Sequence, residues 1–140
     1  MSDNLIVCQG LVKSYGHKAA LTGIDLEVGR GRIVGLLGPN GSGKTTLIKL
    51  LCGLLRPTAG SIRVDGIDTN QIDPAELRRN IGYVPQDVVL FYGSLRDNIA
   101  MGSPHVHDAS VAAAADQAGL TGFVNSHPQG FDMIDRKSVV

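Results

Sequence analysis

Up to Gln86 the chain sets its apolar residues mainly in short strand-like runs, and beyond Gln86 their spacing becomes helical. Residues 5–12 and 24–28 alternate apolar positions with polar or glycine ones, which predicts two strands of a small antiparallel sheet. Residues 32–37, RIVGLL, are nearly continuous in apolar character, as expected of a strand buried on both faces of a parallel sheet. From Lys44, the residues Leu47, Ile48, Leu50, Leu51 and Leu54 form one helical stripe, with Gly53 weakening its far end and Pro57 stopping it. A strand from Ser61 (SIRVDG) follows, then a short helix through Arg79 with Asp73 as its cap, Pro74 in the first turn and Glu76 at the third position. IGYVPQ reads as another strand. Beyond it, SLRDNIAMG predicts a short helix, and Asp108 caps a longer one through Ala118 that Gly119 terminates. The predicted class is α/β, with a helical subdomain beginning after Gln86.

Composition narrows the setting. At 140 residues, 43% of them hydrophobic, the chain has material for one domain with a real core. Lysine plus arginine and aspartate plus glutamate both number 13, so there is no electrostatic case for nucleic acid or an anionic membrane as a general partner. Cys8 and Cys52 each lie in an apolar stretch and read as buried free thiols of a reducing compartment rather than as a disulfide or zinc pair. No apolar run approaches the roughly 18 residues of a membrane span, and MSDNLIV lacks the regions of a signal peptide, so the chain is not expected to cross a membrane itself.

The sharpest chemical signal is GPNGSGKT, which matches G-x-x-x-x-G-K-[ST] between a predicted strand and a predicted helix. Backbone N–H groups that curl round a phosphate must approach it without interference from Cβ atoms, which calls for Gly38, Gly41 and Gly43. The helix that begins beyond the loop adds its positive end. Lys44 can reach the β- and γ-phosphates as a flexible point charge, and the Thr45 hydroxyl can join the shell of a Mg²⁺ bridging the same oxygens. The expected nucleotide site is therefore Gly38, Pro39, Asn40, Gly41, Ser42, Gly43, Lys44 and Thr45, with ATP and Mg²⁺ as the species bound.

From Leu5 to about Phe131 the chain resembles the ATPase subunit of ABC transporters, on several separate stretches. LVKSYG places Tyr15 where such subunits carry the aromatic that stacks on adenine, and Thr46 matches the position that contacts the α-phosphate. IGYVPQ is similar to the family's Q-loop, which gives Gln86 the role of reaching Mg²⁺ and water; a neutral amide can orient or coordinate them but is no strong base. The resemblance implies a P-loop NTPase fold with a RecA-like core, an N-terminal antiparallel β subdomain and the start of an α-helical subdomain. In domain terms it implies a partial ATPase domain over residues 1–134, divided into 4–86 and 87–134. It also implies catalytic roles for Lys44 and Gln86, metal contacts from Thr45 and Gln86, and partners in a membrane-spanning subunit or domain and a second, head-to-tail ATPase copy. No nucleic acid is expected. Its place would be cytoplasmic, on the inner face of the cell membrane. Residues 5–66 look like a stand-alone ATPase subunit, whereas DPAELRRNIGYVPQDVVLFYGSLRDNIAMG and LTGFVNSHPQGFDM look like an exporter. Either the subfamily mixes these features or the sequence joins two sources between Gly66 and Gln71.

Three parts of the family pattern are missing: the LSGGQ signature, the Walker B run ending in Asp and Glu, and the switch histidine. His127 precedes the place of the signature and does not fill that last role, and His105 and His107 lack a third ligand and read as a solvated loop. The chain is thus expected to be truncated before its signature, with residues 135–140 a non-native tail that matches a translated sequencing adapter. Without a Walker B strand beside it, the run at residues 32–37 would lack a neighbouring ladder and invite association. Three readings stay open: a truncated transporter ATPase, a nucleotide-binding fragment without turnover, and a soluble ABC-type ATPase acting on DNA or ribosomes. Neutral charge and FYGSLRDNIAMG argue against the third.

Overall fold

A computed structural model describes residues 3–103 and 105–134 and divides the chain into two compact units, Met1–Tyr83 and Val84–Val140. The expected tail at residues 135–140 lies outside the described residues.

The first unit is built on a four-stranded antiparallel sheet in the order β2-β1-β3-β4, formed by β1 (Asn4–Tyr15), β2 (Lys18–Gly29), β3 (Ala59–Val64) and β4 (Ile67–Asp68). Cys8 and Leu11 are both fully buried although their separation is odd, which a regular strand forbids on one face. A bulge resolves this: β1 advances from Cys8 to Leu11 while β2 advances only from Leu26 to Ile24, and β3 lags by the same one residue. The Asp25 carboxylate takes the Gly10 N–H at 2.7 Å, inside that bulge. On the buried face, Cys8, Leu11, Leu21 and Ile62 form one cluster with Leu47 and Leu50 of α1 (Lys44–Leu51).

Local chemistry decides the helix ends. Helix α1 stops sooner than its apolar stripe, and Gly53 rather than Pro57 stops it. Gly53 takes φ 66°, its N–H bonds the Leu50 carbonyl at 3.1 Å, and the Leu54 N–H bonds the Lys49 carbonyl at 2.9 Å, the paired closure of a Schellman motif. Helix α2 (Pro74–Arg79) begins as expected: the Asp73 carboxylate accepts from Ala75 N–H at 2.7 Å and Glu76 N–H at 3.3 Å.

Two expected strands do not form. Residues 32–37 and 81–86 have no ladder partner among the described residues, and Ile33 and Leu37 are 104% and 97% exposed. A strand covered on both faces needs neighbours on both sides, and none is present here; of this run only Leu36 packs against the core.

The second unit carries α3 (Leu95–Ile99), α4 (Asp108–Gln117) and α5 (Thr121–Ser126). Ser94 and Asp97 form a reciprocal capping box at the start of α3. Asp108 is not the cap of α4: His107 holds that position without a side-chain bond, and the Asp108 carboxylate pairs with Arg96 instead. Gly119 ends α4 as expected, with Leu120 N–H on the Ala115 carbonyl at 2.8 Å. Among the described residues no helix is long and apolar enough to cross a membrane.

Candidate functional site

Residues 30–43 lead from the end of β2 into α1, and their last residue is fixed by contact with the strand they left. Gly43, the N-cap of α1, has φ 89° and ψ 1°. A Cβ there would stand 2.7 Å from both the Ala20 carbonyl oxygen and Leu21 Cδ2. Any other residue would meet a left-handed backbone and filled space together. The loop is therefore fastened onto β2 at the point where the helix starts.

No side chain caps α1 and its first turn holds no acid, so the N–H groups of that turn lack intrahelical partners at the positive end of the helix. That arrangement attracts an anion. Ahead of it, Ser42 N–H closes a turn onto the Pro39 carbonyl at 3.2 Å, and Asn40 and Gly41 form the exposed tip. Lys44 folds back over this turn: its Nζ donates to the carbonyls of Gly38 at 2.6 Å and Pro39 at 2.8 Å, and to Ser42 Oγ at 3.1 Å. Those three bonds engage all three donors of the ammonium and draw the loop into a ring.

Gly38 lets the ring close tightly. A Cβ on it would lie 2.9 Å from Ser42 Oγ and 3.8 Å from Lys44 Nζ, so a side chain would push the turn apart. Free amides at the start of α1 and the Lys44 cation beside them suit a phosphate group. Thr45 and Thr46 occupy the next two positions of α1, Thr45 exposed and Thr46 half-buried.

Tyr15 is the last residue of β1 and is half exposed. It pairs with Lys18, and Lys13 pairs with Leu21, the residue against which Gly43 packs. Three residues of strand rise about 10 Å, so Tyr15 stands at the end of the hairpin where the loop is attached. Its ring also carries Lys13 Nζ 5.3 Å from the centroid. Sequence reading passed over Lys13, although residues i and i+2 of a strand share a face and the spacing K-x-Y was available to it.

Gln86 belongs to the second unit, at a bend outside any strand or helix, and is exposed. His105 and His107 are exposed, and among the described residues no group of three His, Cys, Asp or Glu residues is placed to hold a metal ion. Burial pushes the thiols of Cys8 and Cys52 above the usual cysteine range, so neither is a reactive thiolate near neutrality.

A glycine-rich ring closed by a lysine, running into a helix packed on a sheet, defines a nucleotide-binding protein of the P-loop class. The family model described as ABC transporter matches residues 21–133, and the chain belongs to that family. It is 38% identical over 118 residues to ABC transporter B family member 1 of Dictyostelium discoideum, covering 84% of this chain and 13% of that protein. It is 44% identical over 118 residues to the ATP-dependent lipid A-core flippase of Ralstonia nicotianae, covering 82% and 20%. Its fold is similar to that in the solved structure of a bacterial Atm1-family ABC exporter with ATP bound, at a TM-score of 0.86 and 35% identity, covering 95% of this chain and 24% of that one. The chain thus spans 20% or less of the two curated relatives named. Both the expected P-loop NTPase fold and the expected likeness to exporters are borne out.

Proposed function

We propose that the chain binds ATP through the ring of residues 38–46 and that the longer protein it represents hydrolyses ATP to drive transport across a membrane. The observation that carries the reading is the uncapped first turn of α1, whose free amides stand at the positive end of the helix with the Lys44 ammonium at its first position. In this reading the amides of the first turn of α1 hold the β-phosphate. Lys44 exchanges one of its loop carbonyls for a β- or γ-phosphate oxygen, and Thr46 serves the α-phosphate. Tyr15 offers a ring face to the adenine, which supports affinity with little base selectivity. Thr45 would help to hold a Mg²⁺, which when bound neutralises charge on the β- and γ-phosphates. The remaining catalytic groups belong to motifs that these 140 residues do not contain, so this chain alone binds without turning over. Its partners are a membrane-spanning subunit or domain at the inner face of the cell membrane and a second ATPase copy.

Phosphate release and ATP binding, measured side by side on this chain and on Lys44→Ala, test the reading. Expected are ATP binding that Lys44→Ala weakens and no release above that control. Release clearly above the control overturns the claim that this chain lacks turnover, and absence of ATP binding overturns the site itself.

A further inference from the structure

Tyr15 does not stand alone on its strand. The Lys13 ammonium lies 5.3 Å from the centroid of its ring and is held there by the Arg56 carbonyl, to which Nζ donates at 2.8 Å. Arg56 belongs to the segment that follows α1, and that segment is stitched to β1 immediately ahead of Tyr15. Thr58 N–H donates to the Val12 carbonyl at 2.8 Å, and Ser14 N–H donates to Thr58 Oγ1 at 3.1 Å. The loop at the other end of α1 is fastened to the same hairpin, at Gly43 against Ala20 and Leu21. Both ends of the helix that carries the phosphate loop are therefore tied to the hairpin that carries the ring.

We propose that Lys13 is a positioning residue for the purine base: it holds one face of the Tyr15 ring and leaves the other to stack. This rests on the reading of Tyr15 as the base-contacting residue. A cation over a ring is attracted by the ring's quadrupole, and a ring already fixed in one rotamer loses less freedom when a ligand arrives. Lys13 itself is directed at the ring and the Arg56 carbonyl, so its effect reaches the nucleotide only through Tyr15. That dependence separates it from a general role of positive charge near phosphates, which would act equally on any polyphosphate.

The test is calorimetric titration of the 140-residue chain with ATP and, separately, with inorganic tripolyphosphate, for Lys13→Met, Lys13→Gln, Lys13→Arg, Tyr15→Leu and the Lys13→Met, Tyr15→Leu pair. Lys13→Met is expected to weaken ATP about two- to five-fold, the range of an exposed cation–π contact, and to leave tripolyphosphate unchanged. Lys13→Gln, which keeps a donor for Arg56 but lacks the charge, gives the same loss if Lys13→Met folds poorly; Lys13→Arg restores the affinity. In the Tyr15→Leu background Lys13→Met adds nothing. Equal loss of ATP and tripolyphosphate assigns Lys13 to the stability of the hairpin and overturns the proposal. So does unchanged ATP affinity in Lys13→Met where Tyr15→Leu weakens it, a result that leaves the stacking reading standing. If Tyr15→Leu itself leaves ATP binding unaltered, the stacking reading fails and takes this inference with it.

Discussion

Replacing Gly43 with alanine tests whether the phosphate loop is held in place by its contact with β2. The new Cβ costs about 1–2 kcal/mol for the left-handed backbone alone. It also meets the Ala20 carbonyl oxygen and Leu21 Cδ2, each at 2.7 Å. Neither neighbour can move freely, because Ala20 belongs to a paired strand and Leu21 is a buried core residue. Overpacking of that kind costs a further ~1–3 kcal/mol, so about 2–5 kcal/mol is at stake if the loop stays where it is. The chain has a cheaper response, which is to lift the loop away from β2. In that case the unfolding free energy falls by less than the sum, and the shortfall appears as lost phosphate affinity, about ten-fold for each 1.4 kcal/mol. Gly41→Ala is the comparison: φ there is 83°, but a Cβ would enter open space. It incurs the backbone term and no collision. Urea unfolding followed by circular dichroism, with tripolyphosphate titration of the same samples, reads both quantities. Gly43→Ala should exceed Gly41→Ala in the summed loss of stability and binding by at least about 1 kcal/mol. Equal sums would refute the claim that the loop is anchored on the hairpin.

Three further outcomes follow from the second unit and from the exposed run. The Ser94 hydroxyl and N–H both donate to the Asp97 carboxylate and hold its pKa below the ordinary 3.8. The capping box is accordingly at full strength above pH 3.8 and is lost as pH falls through the lowered value. In an NMR titration of the Asp97 carboxyl, Ser94→Ala should move the midpoint up, and an unmoved midpoint would contradict the assignment. Asn98 binds the Phe91 N–H at 2.8 Å, the Phe91 carbonyl at 2.9 Å and the Ser94 carbonyl at 3.0 Å. Asn98→Ala should destabilise that loop by about 1–3 kcal/mol and speed hydrogen exchange at the Phe91 amide; unchanged exchange there speaks against the clamp. Finally, the exposed side chains of Ile33 and Leu37 should drive self-association, which Ile33→Lys with Leu37→Lys relieves in sedimentation velocity. A monodisperse monomer with a single cooperative melting transition from the unaltered chain would sink that expectation.

What could be read from the sequence was the part that neighbouring residues decide. Asp73 and Pro74 at the start of α2, Gly119 at the end of α4 and the loop from Gly38 to Thr45 each act within a few positions of themselves, and each lies where it was expected. Asp108 was misplaced by one residue because Arg96 draws its carboxylate away from the cap. The bulge that buries both Cys8 and Leu11 was invisible because it depends on the register of β1 against β2 and β3 together. Residues 32–37 and 81–86 were read as strands for the same reason in reverse: apolar continuity reports a preference for cover, and cover is supplied by residues distant in sequence.

The unpaired state of residues 32–37 bears on how the family's chemistry is distributed over the chain. Those residues lead directly into the phosphate ring, yet the ring keeps its shape without a ladder beneath them. Its shape depends on Gly43 against β2, on the three bonds of Lys44, and on Leu47 and Leu50 in the core with Cys8, Leu11 and Ile62. All of these lie within the hairpin, the loop, α1 and the adjoining β3. A parallel strand before the loop is thus not what forms the loop's shape; its neighbours in a fuller sheet would cover apolar surface. The shape of the loop is then set by a few neighbouring elements and does not depend on pairing from afar. Substitutions at Gly38, Gly43 or Lys44 should therefore change nucleotide affinity in this chain, whereas substitutions at Ile33 or Val34 should change its association and leave that affinity in place.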